Sequence, residues 1–188
     1  MALPVALQLY SIRDEVAKDM KAALLKVKEM GYAGVEFAGL YGHTPAEVKA
    51  ICEEVGLCPI SAHVPIDDMV KAPEETVAAY AEIGCKFIVV PYVIEERRPG
   101  GSKFDQTIED MKMIGEVANK HGMTLLYHNH DFEFVKLDGE YDDIPIGRPI
   151  YNTKVLILRE DGTIADIGEE GEICVTGVHL AKGYLNEP

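Results

Sequence analysis

The densest run of ligand-type side chains in the chain is His128-Asn129-His130-Asp131-Phe132-Glu133. On an extended strand, His128 and His130 share one face and Asn129 takes the other. Imidazoles and carboxylates grouped in this way suit a divalent cation, which would polarise a bound carbonyl or hydroxyl. Glu133 beside such an ion has the chemistry of a general base. Glu36 and His63 belong with this cluster, because each closes a short apolar run further up the chain. Each of these residues also has a plainer role. A histidine at a strand end can simply pack and hydrogen-bond, Glu36 can bind loop amides, and Tyr10 can be a packing residue. Gly100-Gly101, after Arg97-Arg98-Pro99, is a weak phosphate signal and reads more readily as an ordinary flexible turn. The chain contains no P-loop, no dinucleotide fingerprint and no Ser/His/Asp order.

Residues 1–143 carry a repeating unit that can position such groups. Each unit is a short apolar strand, a loop, an amphipathic helix and a glycine, recurring roughly every 30 residues. The strands fall at Val5–Tyr10, Gly34–Phe37, Pro59–His63, Phe87–Val90 and Thr124–His128. They are continuously apolar, as parallel strands covered on both faces are. Asp14 is placed to cap a helix over Val16, Met20, Leu24, Val27 and Met30, which Gly31 ends. Thr44-Pro45-Ala46-Glu47 is a capping box with proline in the first turn, and Gly56 ends that helix. A third helix runs from about Pro73 to Gly84. A fourth starts near Asp105, puts Ile108, Met111, Ile114 and Ala118 on one side, and stops at Gly122. Strand–helix alternation at this spacing predicts right-handed βαβ crossovers and a parallel sheet. In such sheets reactive groups collect at the C-terminal strand ends, here Tyr10, Glu36, His63, Pro91-Tyr92 and the 128–133 cluster.

The pattern stops at Asp142-Asp143. Residues 144–188 contain no Phe and no convincing amphipathic helix. They predict β structure, with strands at about Lys154–Leu158 and Gly171–Val175 and turns at Asp161-Gly162 and Glu170-Gly171.

Composition narrows the function classes. With 18 Lys+Arg against 32 Asp+Glu the net charge is −14, the wrong sign for a nucleic-acid binder or for adhesion to an anionic membrane. The longest apolar run, Phe87 to Ile94, is too short to cross a bilayer. Met1-Ala2-Leu3-Pro4 lacks a basic n-region, so the expectation is a cytoplasmic protein. Cys52, Cys58, Cys85 and Cys174 form no C-x-x-C pair and are expected to be reduced, partly buried thiols.

Two resemblances follow from particular motifs. Leu7-Gln8-Leu9-Tyr10-Ser11-Ile12-Arg13, Gly31-Tyr32-Ala33-Gly34-Val35-Glu36-Phe37, Ser61-Ala62-His63 and Tyr127-His128-Asn129-His130-Asp131-Phe132-Glu133-Phe134 resemble the sugar phosphate isomerase/epimerase family. Its fold is the xylose-isomerase-like TIM barrel. The resemblance implies a metal (Mn, Mg, Co or Zn), with Glu133 matching the strand-five ligand and His130 beside it. It implies a catalytic role for Glu133, with His63 and His128, and a small sugar ligand. The family's other ligands and its second proton-transfer carboxylate lie on strands six to eight. From Ile144 onward the sequence instead resembles the adenylation domain of nonribosomal peptide synthetases. Gly171-Glu172-Ile173-Cys174-Val175-Thr176-Gly177 through Leu180-Ala181-Lys182-Gly183-Tyr184 is similar to one of that domain's core motifs.

Three expectations result. The fold class is α/β: a partial, half-barrel-like TIM barrel of about five parallel βα units in residues 1–143, plus a β-rich adenylation-domain fragment in 144–188. The favoured function is that of a chimera, designed or recombined, with no complete active site. The alternatives are a metal-dependent isomerase/epimerase and a sugar-binding module without turnover. The tail is expected to dock on the barrel part, and the remaining strand edges to be covered by homodimerisation.

Overall fold

A computed structural model describes residues 4–130, 132, 136–137, 140–141, 153–166 and 168–177. The chain divides into two compact units, Met1–Asp142 and Asp143–Pro188. In the first, β1 (Ala6–Gln8), β2 (Gly34–Phe37), β3 (Cys58–His63), β4 (Phe87–Val90) and β5 (Thr124–Tyr127) form one parallel sheet. Their order in space is their order in sequence. A doubly wound sheet reverses direction part-way. Here every connection steps the same way, so all helices land on one face, as in a sector of a TIM barrel.

The helices are α1 (Arg13–Lys18), α2 (Met20–Glu29), α3 (Pro45–Val55), α4 (Ile66–Lys71), α5 (Pro73–Ile83) and α6 (Phe104–Lys120). Neighbours in this ring touch one another: α2 packs on α3, α3 on α5 and α5 on α6. The core lies between them and the sheet. Val35 and Phe37, Ala62, and Ile88 and Val90 face the helices and are fully buried. The other row of the sheet holds Gln8, Glu36, Ser61 and His63, then Val89 beside Leu126. Polar groups therefore occupy the inner face of β1 to β3.

Several local expectations are corrected. The first strand ends at Gln8, and Leu9–Ile12 forms a 3-10 turn, so Tyr10 is exposed rather than packed. The first helix is broken into α1 and α2. Asp14 sits inside the first turn of α1, and Asp19 is the cap, accepting from the Ala22 amide at 2.9 Å. Val16, Met20, Leu24 and Val27 are buried as expected, but Met30 is exposed. On α6 the buried stripe is Thr107, Asp110, Ile114, Val117 and Ala118, and Ile108 faces solvent. The stripe can include two polar residues because both are bonded. Thr107 Oγ1 donates to the Lys103 carbonyl, and Asp110 accepts from Arg97 and Gln106. Gly101 is a close-packing site and not merely a flexible turn, since a Cβ there would lie 2.5 Å from the Glu96 carbonyl oxygen. Helix α4 has no counterpart in the sequence reading.

A short antiparallel pair follows in the first unit, β6 (Lys136–Leu137) with β7 (Glu140–Tyr141). The second unit contains an antiparallel pair, β8 (Thr153–Leu158) with β9 (Glu172–Gly177). Arg159 ties the excursion between them together, reaching Thr163 Oγ1, the Ile164 carbonyl, Asp166 and Glu169. Among the described residues no helix is long and apolar enough to cross a membrane.

Candidate functional site

The inner-face residues converge because of one irregularity. Val35 pairs with Pro59, but Glu36 pairs with Ser61, so β3 carries an extra residue at this point. A bulge of this kind re-aims the side chains beyond it. Ser61 and His63 then both face Glu36. Ser61 Oγ donates to Glu36 Oε2 at 2.5 Å, and His63 Nε2 lies 3.1 Å from Glu36 Oε1. On the far side of the ring, Gln8 Nε2 lies 3.0 Å from His63 Nδ1. The hydrogen bond from His63, with a second from Ser61, holds the Glu36 carboxyl below its ordinary range, and burial pushes the other way.

Gln8 and His63 line a cleft of about 730 Å³ at the C-terminal strand ends. Its wall includes Gln8, Tyr10, His63, Tyr92, His128 and His130. His128 meets His63 edge-on, with ring centroids 5.1 Å apart, and is 4.8 Å from His130. His130 stacks on Phe132 at 5.0 Å. Arg98 lies over the same Phe132 ring at 3.5 Å and donates to the Tyr92 hydroxyl at 2.6 Å. At the β1 end, Arg13 lies over Tyr10 at 4.5 Å. Tyr80 also reaches the cleft. Burial raises its phenol to about 12, so it stays protonated.

The structure thus places His63, His128 and His130 on one cleft, with Glu36 bonded to His63. Glu133 lies outside the described residues. Sequence reasoning missed Gln8, Ser61, Arg98 and Phe132. Gln8 and Ser61 stand on the same sheet face as Glu36 and His63, a period-two signal that was available, but the bulge that brings Ser61 to Glu36 has no sequence mark. The cysteines have no part in the cleft. Burial lifts Cys52 to about 11 and Cys85 to about 12, which leaves both as inert thiols.

A divalent ion would need several donors at once. Among the described residues no three His, Cys, Asp or Glu side chains come together to hold one. Both ring nitrogens of His63 are committed, one to Gln8 and one to Glu36. What the arrangement offers is a row of fixed donors and acceptors between two exposed tyrosine rings.

No protein-family model matches the chain. Bacitracin synthase 1 of Bacillus licheniformis is 51% identical over 51 residues, which is 27% of this chain and 1% of that protein. Tyrocidine synthase 1 of Brevibacillus parabrevis is 51% identical over 45 residues, 24% of this chain and 4% of its own length. Among solved structures, a sugar phosphate isomerase/epimerase from Parabacteroides distasonis superposes with a TM-score of 0.61 at 26% identity. The match covers 71% of this chain and 57% of that one. A xylose isomerase domain containing protein from Salmonella typhimurium matches at a TM-score of 0.50 and 15% identity, over 65% and 47% of the two chains, and speaks to the fold alone. The chain therefore has two separate likenesses: a peptide-synthetase one over about a quarter of its residues, and a sugar phosphate isomerase/epimerase barrel over the larger part. It spans only a small fraction of the synthetases and little more than half of the barrel protein.

Proposed function

We propose that the chain is a chimera. It joins five βα units of an isomerase/epimerase-type barrel to a segment of a peptide-synthetase adenylation domain, and it binds a small sugar without efficient turnover. The observation that carries this reading is the Gln8–His63–Glu36–Ser61 chain, whose Gln8 and His63 line the cleft. Polar groups fixed by one another recognise hydroxyls at little entropic cost, and the flanking Tyr10 and Tyr92 rings suit the C–H faces of a sugar. Turnover asks for more. Moving a proton between adjacent carbons needs a group that touches the substrate, and both nitrogens of His63 are already engaged. In the family it resembles, the second carboxylate comes from strand eight, whereas after Asp143 this sequence follows a different pattern.

Isothermal titration with a panel of ketoses and aldoses tests the binding. Saturable millimolar binding of at least one sugar, weakened by His63→Ala, is the expected result. No binding to any sugar at concentrations up to about a hundred millimolar would end the reading.

The alternative is a working metal-dependent isomerase/epimerase, which the resemblance around Glu133 favours. The reading further includes a cytoplasmic setting, in keeping with four free cysteines. It also includes a homodimer that covers apolar inner-face residues such as Leu126, which is 42% exposed. Light scattering well above micromolar concentration would refute the dimer by returning a monodisperse monomer.

A further inference from the structure

The two hydrogen bonds of His63 constrain each other. Glu36 Oε1 can only accept, so the bond at 3.1 Å requires a proton on Nε2. Gln8 Nε2 can only donate, so the bond at 3.0 Å requires a bare Nδ1. Only the neutral Nε2–H tautomer satisfies both. The opposite tautomer would set a bare Nε2 against a carboxylate, a repulsive contact, and its Nδ1–H would call for the Gln8 amide oxygen in place of the NH₂ end. Glu36 is itself fixed from β3 by Ser61 Oγ on its other oxygen. It cannot turn away without giving up that bond.

We infer that Glu36 is a positioning residue which, by fixing the tautomer of His63, turns the Gln8 amide so that the cleft presents its carbonyl oxygen as an acceptor for a ligand hydroxyl. The direction is set three strands wide. Ser61 orders Glu36, Glu36 orders His63, and His63 draws the NH₂ end of Gln8 toward itself. Gln8 lines the cleft, and its Oε1 has no partner among the described residues. An isolated glutamine presents its donor and acceptor ends equally. This one is biased, and the bias favours a hydroxyl donor over a carbonyl or ether oxygen at that position. The ligand part of the inference rests on the sugar-binding reading above. The tautomer and amide orientation do not.

The test is nuclear magnetic resonance on the full chain labelled with ¹⁵N. The expected result is an Nε2-protonated, Nδ1-bare His63 at neutral pH, with a scalar coupling across the hydrogen bond from Gln8 Nε2 to His63 Nδ1. Glu36→Gln should admit the second tautomer and weaken that coupling, because a glutamine there can offer either end. Gln8→Glu, a second variant at the other end of the chain, should abolish the coupling and draw a proton onto Nδ1. Thermal melts check that each variant is folded. D-fructose and its O-methyl ethers serve as ligand probes, with Glu36→Gln expected to narrow the preference for the free hydroxyl by about 2- to 10-fold, the worth of one hydrogen bond. A wild-type His63 protonated on Nδ1 would overturn the inference, as would a Glu36→Gln variant with unchanged tautomer and coupling. The Nε2–H tautomer and coupling without fructose binding would support the orientation and count against the sugar reading instead.

Discussion

Arg97 Nη1 lies 2.7 Å from Asp110 Oδ2, and the two side chains are only 11% and 9% exposed. This pair fastens the segment after β4 to α6, and Gln106 Nε2 occupies the other oxygen of Asp110 at 2.8 Å. The same guanidinium reaches Asp67 at 2.8 Å, but that carboxylate is 68% exposed. The two ion pairs should differ sharply in worth. Removing one partner of a buried pair strands a charge away from water, which costs about 3–5 kcal/mol. An exposed pair is worth less than about 1 kcal/mol. Urea unfolding of Arg97→Ala and Asp67→Ala should show these unequal losses. Equal losses would mean that Asp110 is not desolvated.

Two glycine substitutions should move stability in opposite directions. At Gly101 a Cβ would meet the carbonyl oxygens of Glu96 and Glu95 at 2.5 and 2.6 Å. These are backbone atoms that cannot swing aside, so Gly101→Ala should cost roughly 1–3 kcal/mol. Gly115 lies inside α6, where a Cβ would meet only Leu125 Cδ2, at an ordinary 3.9 Å. Gly115→Ala should therefore gain roughly 0.5–1 kcal/mol through helix propensity. Thermal melts of the two variants decide it, and a destabilised Gly115→Ala would mean that α6 packs more tightly on β5 than that distance allows.

Thr44 caps α3 as its neighbours promise. Its side chain accepts from the Glu47 amide, while Glu47 reaches back to the Thr44 amide at 2.7 Å. Thr44→Ala should cost about 1 kcal/mol, and a denaturant midpoint unchanged within error would contradict the box.

That box shows what a sequence declares openly. Caps, left-handed glycines such as Gly56 and Gly84, and buried parallel strands are local signals carried by a few adjacent residues. Relations between strands are not. Glu36, His63 and His128 are legible as strand ends. That Gln8 completes the chain, and that Ser61 rather than Ile60 faces Glu36, depends on register and on a bulge formed by tertiary pairing. On α6, Ile114 and Ala118 are buried as their spacing predicts, but the burial of Asp110 is legible only once Arg97, from a preceding segment, is placed beside it. Asp14 reads as the cap of one continuous helix, and the break that makes Asp19 the cap of α2 instead has no sequence mark.

Glu36 should make folding stability depend on pH. Its carboxyl titrates lower in the folded chain than its ordinary value of 4.5, chiefly because His63 donates to it. A group with a depressed folded value stabilises fully above its unfolded value, and the contribution disappears as pH falls through the folded one. The stability gap between wild type and Glu36→Gln should therefore be constant above about pH 5 and shrink on acidification below 4.5. Urea titrations at several pH values measure it. A gap that widened on acidification would show that the carboxyl is raised instead.

The last expectation is catalytic. The purified chain, supplied with Mn, Mg, Co or Zn, should isomerise or epimerise ketoses no faster than background. One physical requirement stands against turnover. The proton must pass through a side chain that reaches the substrate carbon, whereas His63 spends Nδ1 on Gln8 and Nε2 on Glu36. His128 and His130 line the same cleft and could move a proton only with a second group to receive it. Coupled assays with each metal, on wild type, Glu133→Gln and His128→Gln, separate the cases. Robust metal-dependent turnover lost in Glu133→Gln would establish the isomerase alternative and overturn the proposed function. Metal-independent turnover lost in His128→Gln would overturn it too, and would transfer the acid–base role to the histidines that follow β5.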